Sequence, residues 1–129
     1  MVKSPTKEQI LADPEVKKIS GFGTTKLFWA ETPEAVDAYV KAGVKINHKD
    51  IAETTALDSC IDRVVRNINT FEDSDNKGAV LSMVSYGGIC EENSLESLKK
   101  ADPEFYKSVL DAKAAYAVKQ QKLANSITR

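Results

Sequence analysis

GTTKLFWAETPEAVDAYVKAGVKINHKDIAETTALDSC, residues Gly23 to Cys60, states one phrase twice: Gly23-Thr24-Thr25-Lys26-Leu27-Phe28-Trp29-Ala30 returns thirty positions later as Glu53-Thr54-Thr55-Ala56-Leu57-Asp58-Ser59-Cys60. Between the copies lie an apolar segment, Glu34 to Ala42, a lone Gly43 and a polar run from Val44 to Asp50. In the apolar segment Ala35, Val36, Tyr39 and Val40 fall at i, i+1, i+4 and i+5, the face of a helix turned to a core. Gly43 stands where a helix closes in the left-handed conformation. A period near thirty points to stacked helical units, which cannot bury their apolar faces singly.

The same grammar continues outward. Toward the C-terminus, Leu57, Ile61, Val64, Val65 and Ile68 are helically spaced. Thr70 to Lys77 reads as an acidic loop, and Gly78 to Tyr86 as a second apolar helix closed by Gly87-Gly88. Asn93 or Ser94 then caps a helix through Leu95, Leu98 and Ala101, and a long last helix runs from Pro103 to about Leu123. Asp13-Pro14-Glu15, Thr32-Pro33-Glu34 and Asp102-Pro103-Glu104 are three copies of one corner: a capping side chain, a proline that needs no N–H, and an acid favoured by the helix dipole. Pro33 and Pro103 are 70 residues apart, room for two units of about 35. Toward the N-terminus, Ser4-Pro5 opens a helix through Ile10 to Ala12, Pro14 to Ile19 reads as a second short helix, and Ser20 to Gly23 as a glycine-rich turn. Thr25 is expected to cap the helix Lys26 to Ala30 through a free amide.

Thr25, Leu27, Ala30, Val36, Val40, Gly43, Asn47, Asp50, Thr55 and Leu57 carry a resemblance to the ankyrin-repeat family. The resemblance is specific over Gly23 to Cys60 and thins elsewhere. It implies an all-α fold, a short solenoid of antiparallel helix pairs with degenerate caps, in a single domain: 4–22 as N-terminal half-repeat, 23–53 as the best-formed repeat, 54–92 as a longer one and 93–125 as C-terminal cap. Two departures stand out. The first unit is 30 residues long where the family has about 33, which shortens the corner between its helices. Glu53 occupies a turn position at which the family has Gly, which puts the tightness of that finger in question.

The bulk composition narrows function. With 18 basic and 19 acidic side chains the net charge is −1, which offers no general pull on nucleic acid or an anionic membrane. No apolar run reaches the roughly 18 residues of a membrane helix, and the first residues lack the apolar core of a secretory signal, so the cytoplasm is the expected compartment. Cys60 and Cys90 have no metal-ligand spacing and read as reduced, buried thiols, with a disulfide between them left open. His48, the only histidine, reads as a solvated finger residue. No cofactor, metal site or catalytic constellation is expected.

The resemblance implies protein–protein recognition through a row of fingers and a concave helical face. The residues it nominates are Gly21, Phe22 and Thr24 in the first connection, Lys49, Ile51, Ala52 and Thr54 in the second, and Trp29 and Glu31 on the helical face. Trp29 has a rival reading as core, the preferred one for Phe28-Trp29-Ala30; Ile51 is the sharper hint, an apolar side chain at an exposed tip. Glu72, Asp73, Asp75, Glu91 and Glu92 form an acidic group that could face a basic partner, although a hydrated loop explains them more simply. The size and plain build resemble small bacterial immunity or antitoxin proteins, which makes an inhibitor of a cognate toxin or enzyme the expected function. An adaptor or effector-type binding protein, and a small helical enzyme around His48 or a cysteine, are the alternatives.

Overall fold

The computed structural model describes residues 6–66 and 73–127, with the side chains of 73–75 and 125–127 outside the description. Among the described residues the fold is all-α: helices α1 (Lys7–Ala12), α2 (Pro33–Lys41), α3 (Ala56–Arg66), α4 (Asp73–Ser85), α5 (Glu92–Ala101) and α6 (Pro103–Ile127), with a 3₁₀ helix at Lys26–Trp29 and no strand. The 3₁₀ helix pairs with α2, α3 with α4, and α5 with α6. The pairs then touch in two rows, α1–α2–α4–α6 on one side and 3₁₀–α3–α5 on the other. No described helix is long and apolar enough to cross a membrane.

Local chemistry sets the helix ends. Thr6 and Gln9 form a reciprocal capping box, Gln9 N donating to Thr6 Oγ1 at 3.2 Å and Thr6 N to Gln9 Oε1 at 2.8 Å. The second and third proline corners cap as expected: Ala35 N donates to Thr32 Oγ1 and Phe105 N to Asp102 Oδ1, both at 3.1 Å. Positive φ at Gly43 (98°) and Gly87 (86°) closes α2 and α4, the conformation that glycine adopts without a Cβ penalty. The buried side chains follow the helical period: Leu57, Ile61 and Val64 on α3, Val80, Met83 and Val84 on α4.

Several expectations change. Pro14 to Ile19 is not a helix but one turn, Val16 N reaching Asp13 O at 3.3 Å and Lys18 N reaching Glu15 O at 3.0 Å; an isolated turn has too few bonds to propagate. Ser4-Pro5 lies outside the described residues, and Thr6 is the residue that caps α1. Lys26 to Trp29 winds as 3₁₀, with Phe28 N bonded to Thr25 O at 3.1 Å, so Thr25 makes no side-chain cap. Asp73 to Lys77 is helix rather than loop, since acids are favoured in a first turn. Glu91 is the N-cap residue of α5; Ser94 instead donates to Asp58 Oδ1 at 2.8 Å. The last helix runs on to Ile127.

Three carboxylates join elements at the surface. Asp37 takes Lys7 at 3.1 Å, Lys41 at 3.0 Å and the Tyr86 hydroxyl, tying α1 and the end of α4 to α2. Asp13 meets Lys26 at 2.5 Å and Asp102 meets Lys77 at 2.9 Å. The hydrogen bond from Tyr86, followed by those from Lys41 and Lys7, holds the Asp37 carboxyl far below the usual range. Lys26 and the Glu15 amide lower Asp13, and Lys77 and the Phe105 amide lower Asp102.

A carboxyl that titrates lower in the folded chain than in the unfolded one stabilises the fold above its unfolded value. That stability is lost as pH falls through the folded value. For these three groups the loss begins near the ordinary value of 3.8 and continues below it. The melting temperature is therefore expected to hold from roughly pH 7 to pH 5 and to fall below about pH 4. Scanning calorimetry across that range checks it, and Asp37→Asn is expected to melt lower at neutral pH with a shallower acid decline.

Candidate functional site: two joined turns and their apolar tips

The connections before the 3₁₀ helix and before α3 are the same turn built from different side chains. In the first, Ser20 N donates to Thr24 O and Gly23 N to Ser20 O, both at 2.9 Å; in the second, Asp50 N donates to Thr54 O and Glu53 N to Asp50 O, both at 3.0 Å. The leading side chain braces each turn from within. Ser20 Oγ accepts from Phe22 N and Thr24 N at 3.2 Å, and Asp50 Oδ1 accepts from Ala52 N and Thr54 N at 2.9 Å. The thirty-residue repeat thus reaches back to the pair Ser20 and Asp50. One further bond, Ile51 N to Phe22 O at 3.0 Å, joins the two turns edge to edge.

Glu53 sits at φ 64° where its counterpart Gly23 has φ 81°. The finger is as tight with Glu as with Gly, so the doubt that Glu53 raised is removed; what remains is the conformational strain of a side chain in the left-handed region, about 1–2 kcal/mol. The close packing of the turns explains why Gly23 itself is glycine: a Cβ there would come within 3.0 Å of Ile51 N and 3.1 Å of Asp50 Cα.

The nominated residues divide into three groups. Phe22 and Ile51, 72% and 74% exposed, are brought together by the bond between the turns, with Gly21 and Ala52 exposed beside them. Lys49 is exposed and 3.9 Å from the Glu53 carboxylate. Thr24 and Thr54 are half-buried and spent inside their turns, the Thr24 hydroxyl lying 2.7 Å from Ser20 Oγ. Glu31 is exposed just after the 3₁₀ helix. Trp29 is 66% exposed, which overturns the core reading; at three residues per turn Leu27 and Ala30 share the buried face with Phe28 and leave Trp29 outward. The acidic group does not form a loop: Asp73 and Asp75 open α4, Glu91 and Glu92 open α5, and Glu72 lies outside the described residues.

His48 is not the solvated residue expected. It is half-buried, with Nε2 2.9 Å from Gly23 O, an anchor between the second finger and the first. Cys60 and Cys90 are free thiols, the first buried and the second half-buried, and burial pushes both up to about 11. Both are protonated at neutral pH and poor nucleophiles. Among the described residues no three His, Cys, Asp or Glu side chains are grouped to hold a metal ion.

Sequence reasoning missed the supports. Asp58 is buried, and its carboxylate accepts from Glu91 N at 2.7 Å, Ser94 Oγ at 2.8 Å and Thr55 N at 3.1 Å; the Thr55…Asp58 spacing of a capping box was the available signal. Arg63 donates to Phe28 O at 2.7 Å and Ala30 O at 2.8 Å, a cation on the carbonyl end of the 3₁₀ helix. Asn47 spans the next connection, giving Nδ2–H to Gly87 O at 3.0 Å and taking Ile89 N at 2.8 Å. No family model matches the chain, and neither the curated proteins nor the solved structures contain a significant match.

Glu53→Gly is expected to raise stability by about 0.5–1 kcal/mol, the relieved left-handed strain less the added freedom of the unfolded chain. Urea unfolding measures it; a loss of stability would show that the Lys49–Glu53 pair outweighs the strain.

Proposed function

We propose that the chain is a short ankyrin-like solenoid that acts as a non-catalytic recognition module, in the manner of a cytoplasmic immunity or antitoxin protein that binds and blocks a cognate toxin or enzyme. The observation that carries this reading is the joined pair of tips. Phe22 and Ile51 are large apolar side chains, each more than two-thirds exposed, on neighbouring backbone that is hydrogen-bonded within and between the turns. Single exposed apolar residues are ordinary; two fixed together make a patch that a partner can cover with little loss of conformational freedom. Trp29 adds an exposed side chain of the kind enriched at interface hot spots. Lys49 and Glu31 supply charges near these anchors in the chain, able to set orientation and encounter rate.

The same surface would serve an adaptor or an effector-type protein, and only the consequence of binding separates those readings from inhibition. The acidic residues support a partner face less well, because Glu91 and Glu92 already serve a helix N-terminus.

The test is capture from the source cell with the chain's genetic neighbours expressed, followed by an activity assay of whatever is bound. One stoichiometric partner, silenced on binding, is expected. Phe22→Ser with Ile51→Asp is expected to weaken binding about a hundredfold or more with the helical circular dichroism unchanged. Full binding by that double variant would remove the tips from the interface.

A further inference from the structure

The row of fingers stops one unit before the helix pairs do. The link from α2 to α3 has fourteen residues, 42–55, and carries the second finger; the link from α4 to α5 has six, 86–91, and carries none. Its amides go elsewhere. Gly87 N and Gly88 N close α4 on Val84 O and Met83 O, Ile89 N reaches Asn47, and Glu91 N reaches Asp58. The helices still stack past this point, α3 against α5 and α4 against α6, so the place of a third finger lies open beside the second.

The repeat defines what that edge offers. The two turns share one hydrogen-bond pattern, so Ala52 corresponds to Phe22 thirty positions earlier. Phe22 O is the acceptor through which the first finger holds the second, 3.0 Å from Ile51 N. Ala52 O is the same acceptor on the second finger, and by the same geometry it faces the place of the third. Among the described residues no donor meets it. Ala52 is exposed, so the carbonyl is within reach of an incoming chain.

Beside this edge lies a recess of about 120 Å³ between the second finger and the short link, lined by Lys49, Glu53, Thr55, Asp58, Ile89 and Glu91. Three of these side chains are carboxylates and one is an ammonium. The Asp58 oxygens are filled by donors from Thr55, Glu91 N and Ser94, and Lys49 stands 3.9 Å from Glu53. Glu91 is exposed and its side chain makes no cap bond. The balance is negative, and a narrow recess with low-dielectric walls concentrates that field on a cation.

We infer that this edge, resting on the reading of the fingers as a recognition face, receives an extended basic segment of the partner protein in place of a third finger. A backbone N–H of the segment donates to Ala52 O as Ile51 N does to Phe22 O. A lysine or arginine enters the recess toward Glu53 and Glu91, and an apolar neighbour rests on the exposed Ile89. The backbone bond supplies register and the recess selects the side chain, as in the addition of a strand to an open sheet edge.

Capped pentapeptides titrated into the isotope-labelled full chain are the probes, the parent being Ala-Val-Arg-Val-Ala. Saturable movement of the Ala52 carbonyl carbon and of the Glu53 amide that follows it is expected, with a Kd on the order of 1 mM. A peptide with glutamate for arginine, and one N-methylated at its three central amides, are each expected to bind about tenfold more weakly or worse. Glu53→Gln with Glu91→Gln is expected to weaken the arginine peptide roughly fivefold with the helical circular dichroism unchanged. An N-methylated peptide that titrates like its parent, or shifts that gather at Phe22 and leave the Ala52 carbonyl still, would overturn the inference. So would self-association of the chain that moves the same carbonyl, which would give the edge to a second copy. Each of these results leaves the tips as the recognition face so long as the Phe22→Ser, Ile51→Asp variant fails to capture its partner, so the two readings fail separately.

Discussion

The Asp58 carboxylate is the point on which the stacking of the helix pairs depends. It is buried at the start of α3, where it closes the first turn through Thr55 N, and it also receives Glu91 N and Ser94 Oγ from the entry to α5. One side chain therefore caps its own helix and fixes where the next begins. Burying a carboxylate is tolerable only when its oxygens are filled, and here the donors come from two units. Thr55 completes the link by reaching Ile89 O at 2.5 Å. Two more bridges run in the same sense, Arg63 from α3 back to the carbonyls of the 3₁₀ helix and Asn47 forward to the connection after α4. Helical packing supplies the bulk of the stability; these polar links choose the register in which the pairs meet.

That register is what gives the surface its character. The first two turns can share the bond from Ile51 N to Phe22 O only because the 3₁₀ helix and α3 are held side by side. Once they are, the tips have nowhere to go but outward. The strain at Glu53 belongs to the same arrangement, a non-glycine residue kept at φ 64° by a turn whose other bonds over-determine it. The unpartnered Thr25 hydroxyl marks one local departure from repetition: Phe28 stands where an acid would have closed the first unit as Asp58 closes the second.

Much of the architecture was legible because it is local. The proline corners, the terminating glycines Gly43 and Gly87, and the apolar stripes of α2, α3 and α4 are all read from residues within one or two turns of each other. Phe22, Ile51 and Lys49 were legible as exposed for the same reason. What escaped was either a choice between near-equal windings or a contact between distant residues. Nothing in Lys26-Leu27-Phe28-Trp29 separates an α turn from a 3₁₀ one, and in the 3₁₀ winding Trp29 faces outward. The half-burial of His48 follows from Gly23, 25 residues away, and the role of Asp58 from Glu91 and Ser94, 33 and 36 residues on. Asp73 to Lys77 looked like a loop because acids and turn-formers fill it, although the same composition suits a helix N-terminus.

The measurement that bears most directly on this account is native-state hydrogen exchange on Asp58→Ala beside the parent chain. Loss of the carboxylate strands three donors, one buried and two part-buried, and is expected to cost about 2–3 kcal/mol, felt first as lost protection of the amides of α5 and of the entry to α3. The amides of α2, which Asp58 does not touch, should keep theirs until the whole chain opens. Uniform protection equal to the parent's would contradict the claim that this carboxylate sets the register of the stack.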